Sequence, residues 1–479
     1  MRARSVECNV TATVRCTGSR FSRRFWEKRE AREKREGEHL RIVLPPYRCA
    51  GAGSTLVLFL AIGGCAPDPE RAMNETAESY VKLVLAMGAH DPDYVDAYYG
   101  PPEWREAVAA DTLPLDTIVA RGRQLRVDLE GIAVPADAEL LGLRRRYLIR
   151  QLGALTARAQ MLAGRTYTFD EEAVALYDAA PPRLPESHFR EILAELDRAL
   201  PGSGPVQDRY VRFRDRFVIP PDRVDTVFRR AIAACEERTA RHLTLPDGES
   251  FTVEYVTDKS WSGYNWYQGN YRSLIQVNVD LPIYVDRAVD LACHEGYPGH
   301  HTYNALLEKN LVRDRGWVEY SVYPLFSPQS LIAEGSANYG IRIAFPGEER
   351  VAFERDELFP LAGLDTGLAA EYYRVQELAD RLAYAGNEAA RRYLNGEIGA
   401  DSAAVWLETY ALMAPARARQ RVRFIDQYRS YVINYNLGQD LVAAHIAATA
   451  GSPVEHPEAA WREFGRLLST PRLPSGLVK

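Results

Sequence analysis

Between residues 288 and 301 the chain reads Ala-Val-Asp-Leu-Ala-Cys-His-Glu-Gly-Tyr-Pro-Gly-His-His, which sets His294, Glu295, His300 and His301 close together. Imidazoles bind transition metals, and a carboxylate beside them can move a proton, so the group has the makings of metal-assisted hydrolysis. In the helical spacing His-Glu-x-x-His, two histidines one turn apart hold zinc and the glutamate is the general base. Here the fourth position after His294 is Pro298, so that plain spacing is absent. Proline lacks an N–H, and its ring clashes with the carbonyl four residues back, that of His294. A kink or widened turn is therefore expected at Pro298-Gly299. On an unbroken helix His301 would share a face with His294 but stand about 10.5 Å further along, and His300 would point about 120° away. A two-residue bulge would bring His300 to the place of the second histidine. His300 is the preferred ligand and His301 the alternative.

A catalytic zinc commonly takes three protein ligands and keeps one position open. Downstream, Ser327-Pro328 has the form of an N-cap followed by proline at the first helical position. The helix it opens carries Glu334 among small and apolar residues, where an unpaired carboxylate would be expensive. A cation would remove that cost, as would an arginine such as Arg342. One zinc per chain, held by His294, His300 and Glu334 with Glu295 as base, is the expectation.

The segments His294-Glu295-Gly-Tyr-Pro298-Gly299-His300-His301 and Glu334-Gly335 followed by Tyr339 resemble the DUF885 family of bacterial proteins, which look like gluzincin-type zinc peptidases. The resemblance spans most of residues 72–470 and implies a peptide or amide substrate. It places His294, His300 or His301, and Glu334 around zinc. The tail Arg429-Ser-Tyr431-Val-Ile-Asn-Tyr435-Asn-Leu-Gly438 is family-like only in its Tyr-x-x-Gly end, the preceding Pro-Gly-Gln-Ala being absent. Ser336 also stands where family members often carry tryptophan. By position in that tail, Tyr435 is the candidate donor to a developing oxyanion, with Tyr431 and Arg429 beside it at the substrate.

These side chains need a scaffold. Apolar residues recur at three- and four-residue spacing over 138–162 and 221–243, which predicts helices. Residues 251–256 and 274–279 alternate like strands, and helical pattern resumes near 284. The fold class expected is mainly α: a large helical body with a small β-sheet beside a zinc site on a kinked helix. The strand over 274–279 could pair with an extended peptide, with Asn278 touching its backbone. Tyr264, Tyr267 and Tyr271 read as core or groove wall. The arginine-rich stretch 414–429 reads as a helix with a solvated face, one of whose arginines could reach a substrate carboxylate. Residues 66–210 form an N-terminal helical region and 211–479 the site-bearing region of what is expected to be one continuous fold.

The 479 residues carry a formal charge of −6, which gives no footing for a nucleic-acid partner. Six cysteines, without CxxC spacing, make a cysteine-built zinc site improbable. Cys235 and Cys293 could pair in an oxidising compartment, but with Cys293 beside an expected metal ligand they are read as buried free thiols. At the amino end, Arg48, the apolar run 54–63 and Gly63-Gly64-Cys65 follow the order of a secretion signal, and Ile62–Cys65 resembles the bacterial lipobox. Cys65 is then the lipidated residue and the membrane partner is reached through that lipid. Ala66 fits sorting to the outer membrane, facing the periplasm. The mixed-charge stretch 19–36 suggests a start nearer Val43 or Leu44. A metal-binding or structural envelope lipoprotein without turnover is the competing reading, and Glu295 beside His294 argues against it, since binding alone needs no base.

Overall fold

The computed structural model describes residues 68–477; Cys65 and the apolar run before it lie outside the described residues. Helix accounts for 66% and strand for 7%. Helix α1 (Pro69–Met87) opens with proline at its start and with Asp68 accepting the Glu70 N–H at 3.1 Å. It buries Met73, Ala77, Tyr80 and Val84, a stripe at helical spacing. Strand β1 (Val95–Tyr98) follows, then, after other helices, the long α2 (Glu139–Leu162). One arginine of α2, Arg144, is fully buried and grips Glu319 through two hydrogen bonds of 2.6 and 2.9 Å. A buried guanidinium is tolerable only when paired in this way.

Helix α3 (Val224–Ala240) leads to three strands, β2 (Ser250–Val256), β3 (Gly263–Gly269) and β4 (Arg272–Asn278). Their order is β2-β4-β3, with β4 parallel to β2 and antiparallel to β3. This corrects one expectation. The strand over 274–279 is the central one, with both edges already paired, so no peptide can add to it. Strand β3, which periodicity did not single out because aromatic residues stand on both its faces, is an edge.

Next come α4 (Asp286–Leu291), α5 (His300–Leu307) and β5 (Val322–Pro324), which pairs antiparallel with β1. Helices α6 (Pro328–Ala344), α7 (Pro415–Tyr428) and α8 (Ile433–Ala450) complete the surroundings of the site. Helix α2 packs on α6, so helices from either side of residue 210 meet. Helices α6 and α8 touch where Gly335 faces Gly438: a Cβ on Gly438 would stand 2.9 Å from the Gly335 Cα. Only two glycines permit so close an approach.

A second correction concerns the cysteines. Cys235 on α3 and Cys293, just past α4, are joined by a disulfide, their Cα atoms 5.7 Å apart. Their separation of 58 positions in sequence hid the fact that the two segments lie side by side.

Candidate metal centre

Helix α4 runs into a wide, π-type turn over Ala292–Gly296 that carries His294 and Glu295. Such turns insert an extra residue and are common at functional sites. The chain then breaks at Tyr297-Pro298, a cis peptide, and at Gly299, whose N–H returns to the Cys293 carbonyl at 2.9 Å. A Cβ on Gly299 would collide with the carbonyls of Cys293 and His294, so this fold-back needs glycine. Helix α5 restarts at His300, and the interruption turns its ring onto His294: the two Nε2 atoms are 3.1 Å apart, with the rings perpendicular at 87°.

Glu334 on α6 closes the group. Its Oε2 lies 3.2 Å from His294 Nε2 and 3.7 Å from His300 Nε2. The three donor atoms are all within 4.8 Å of one another, a separation that ligands at about 2.1 Å from one ion require. Tyr431 donates to the other oxygen, Oε1, at 2.7 Å. The carboxylate is nearly buried, and Oε2 has no hydrogen-bond partner among the described residues. Burial alone would raise its pKa, yet the two imidazoles hold it well below the ordinary carboxylate range. Its companions are these rings and Tyr431, not the guanidinium of Arg342.

The tautomer of His294 follows from its neighbour. Asn338 gives its amide nitrogen to the Tyr435 carbonyl at 2.9 Å, which leaves Oδ1 facing His294 Nδ1, also at 2.9 Å. An oxygen can only accept, so Nδ1 carries the proton and Nε2 presents a lone pair to the group. Two imidazole nitrogens and a carboxylate oxygen thus converge with little between them to neutralise the repulsion. A divalent cation fits that donor set.

His301 points the other way. It is fully buried, its Nε2 2.6 Å from Glu249 and its Nδ1 2.9 Å from the Ser273 hydroxyl. It braces the sheet against α5 and takes no part in the cluster.

A cavity of about 1660 Å³ opens over the group. Glu295 lines it, and burial pushes its carboxyl up to about 7, with His300 pulling down and Glu334 pushing up. Asn265 of β3 donates to the Glu295 carbonyl at 2.7 Å. Tyr435 also lines the cavity, and its hydroxyl has no hydrogen-bond partner among the described residues. Two other expected residues are placed elsewhere. Asn278 spends its amide on the carbonyls of Lys259 and Trp261, at 3.1 and 2.9 Å. Arg429, at φ 52°, pairs with the buried Glu172 at 2.7 Å. The same carboxylate accepts from the Ser430 N–H and hydroxyl. That clamp fixes the turn from which Tyr431 reaches Glu334, so Arg429 shapes the site without facing substrate, and Tyr431 serves the carboxylate first.

Sequence reasoning missed Asn338 and Asp96. The first sits one turn after Glu334 on the same helix, a spacing that could have flagged it. The second, on β1, lines the cavity and accepts from the Tyr264 hydroxyl; burial raises its carboxyl to about 6. Nothing in the sequence near residue 96 points to residue 264.

Fold and cluster together define a class: a mainly helical protein in which two histidines and a glutamate are gathered so that they could hold a metal ion. No protein-family model and no curated protein sequence matches the chain, so the DUF885 resemblance stands on its motifs. Among solved structures, a candidate lipoprotein from Colwellia psychrerythraea superposes with a TM-score of 0.46 at 16% identity, over 78% of this chain and 71% of that one. A second candidate lipoprotein, of unknown function, from Shewanella oneidensis gives 0.39 at 12% identity, over 77% and 76%. The M32 carboxypeptidase from Deinococcus radiodurans R1 gives 0.39 at 15% identity, over 83% and 88%. These are loose likenesses, and the chemistry has to be read from the side chains themselves.

Proposed function

We propose that the chain is a zinc-dependent hydrolase of peptide or related amide bonds. The observation that carries this is Glu295: a buried carboxylate on the cavity wall, next in sequence to a histidine of the His294–His300–Glu334 group. When bound, the ion supplies Lewis-acid polarisation of the substrate carbonyl and acidifies a water. His294, His300 and Glu334 would hold it, and the protonated Nδ1 of His294 keeps the coordinating nitrogen free.

Glu295 accepts the proton of the attacking water and delivers it to the leaving nitrogen. A carboxyl brought to about 7 by burial is matched to both halves of that task near neutral pH. The Tyr435 hydroxyl, held protonated because burial raises its pKa, donates to the oxygen that gains charge. An extended substrate lies along β3, the edge strand, whose Gly263, Tyr264 and Asn265 border the cavity.

Cys65 is the proposed lipid attachment, which would hold the protein in the bacterial envelope. The Cys235–Cys293 disulfide supports that placement, because disulfides persist in oxidising compartments. No described helix is long and apolar enough to cross a membrane.

Elemental analysis of the purified protein tests the metal. Near one zinc per chain is expected, lost in His300→Ala and in Glu334→Ala. Mass-spectrometric profiling of a peptide library should show cleavage that Glu295→Gln abolishes while zinc is retained. Retained zinc without turnover in the wild type would overturn the hydrolase reading and leave a metal-binding envelope protein.

A further inference from the structure

Helix α7 carries arginines at 417, 419, 421 and 423, and the fold sorts them into two faces. Arg419 and Arg423 are exposed, which is the solvated face that composition suggested. Arg417 and Arg421, one turn apart, both line the cavity that holds the His–Glu cluster.

Neither has an acidic partner among the described residues. Arg417 donates to two neutral oxygens, Gln420 Oε1 at 2.9 Å and Ser262 Oγ at 2.7 Å. Arg421 makes no hydrogen bond among the described residues. Its guanidinium lies 4.6 Å from the centre of the Phe424 ring and 5.7 Å from that of Tyr435. The most deeply buried arginines of this chain meet carboxylates, as Arg144 meets Glu319 and Arg158 meets Asp91. The α7 pair does not, though it lines a cleft. Burial, then Arg287 and Arg421, brings the Arg417 guanidinium down to about 10. Two guanidiniums in a cleft with no carboxylate of the described residues at ion-pair distance, Glu334 acting on Arg421 only from further off, have donors free to receive one from outside. The same cleft also contains Asp96, Glu295 and Glu334, which would repel a polyanion. A single carboxylate suits it better.

We infer that Arg417 and Arg421 form a carboxylate-binding subsite of this cavity, so that the substrate is a peptide bearing a carboxylate close to the bond cleaved. The inference rests on the hydrolase reading and adds the substrate class. The carboxylate has two sources, a free C-terminus or an acidic side chain. The Phe424 and Tyr435 rings support Arg421 from one side, leaving its donor edge for the ligand.

Binding can be separated from turnover in the zinc-loaded Glu295→Gln protein. Three pools of N-acetylated tripeptides would be offered in equilibrium dialysis read by mass spectrometry: free acids, the same peptides as carboxamides, and carboxamides containing glutamate. Retention of the free acids about tenfold or more above the plain carboxamides is expected, since hydrogen bonds between charged groups are worth that much. Adding Arg421→Gln should erase the preference, and Arg421→Lys should restore part of it, with zinc content and thermal unfolding unchanged. Retention of the glutamate pool alone would assign the subsite to an acidic side chain. Equal retention of acids and plain carboxamides with no gain from glutamate, retention of no pool, or a preference that survives Arg421→Gln would overturn the subsite. Equal turnover of all three pools by the wild type would do the same while leaving the hydrolase reading intact. Arginine-dependent binding without any turnover would overturn hydrolysis and leave the subsite standing.

Discussion

Asn338 stands 2.9 Å from His294 Nδ1, and its own amide, fixed by the Tyr435 carbonyl, forces it to accept that proton. A group that orients a ligand in this way typically changes metal affinity by about 10- to 100-fold when removed. Asn338→Ala should weaken zinc binding by that order in competition with a chromophoric chelator. Asn338→Asp, which keeps an acceptor, should lose less. Equal affinities for wild type and alanine variant would remove Asn338 from the site.

The glycine contact between α6 and α8 sets a second expectation. In Gly438→Ala the new methyl group would press on the Gly335 backbone, and overpacking of this kind costs roughly 1–3 kcal/mol. Urea unfolding should show that loss. Because Glu334 and Asn338 flank Gly335 on α6, zinc affinity should drop with it, more than in an Ala→Gly change at the exposed Ala416.

Glu354 supplies a pH dependence away from the metal. It is fully buried, and burial lifts its carboxyl from 4.5 to about 8, against Arg350 and with the help of Asp286 and Asp290. A carboxyl raised by folding binds its proton more tightly in the native chain than in the unfolded one. Its contribution to stability is therefore present below about pH 4.5 and is lost as the pH climbs toward 8. Denaturation measured across that window should show wild-type stability falling relative to Glu354→Gln, whose side chain does not titrate. Parallel curves for the two proteins would contradict the shift.

The disulfide makes a further prediction. Closing a loop of 58 residues is worth roughly 4 kcal/mol in the chain-entropy picture. Thiol titration of the unreduced, unfolded protein should find Cys235 and Cys293 unreactive. Reduction, or Cys235→Ser, should lower the thermal midpoint. It should also loosen zinc, since Cys293 immediately precedes His294.

How much of this could be read beforehand depended on distance along the chain. The Pro298-Gly299 interruption and the pair His294-Glu295 were legible because proline sterics and helix geometry act over a few residues. Glu334 was legible because a charge amid alanines and leucines demands an explanation wherever it folds. The central place of β4 was not, since pairing order depends on strands that periodicity cannot rank. Arg429 and Asn278 were misplaced for the same reason: their partners, Glu172 and the 259–261 backbone, are set by tertiary packing. The four arginines of α7 showed their spacing plainly, but which two would turn inward depended on neighbours distant in sequence.

The glycine contact has a mechanical side as well. At residues 335 and 438 bare backbone stands against backbone, and sliding of α6 past α8 would bring Cβ atoms into collision. Together with the Asn338 bond to the Tyr435 carbonyl, the contact fixes how far Glu334 and Asn338 stand from Tyr435. The spacing across the His–Glu group is thus gauged by backbone thickness, which no side-chain rotamer can adjust.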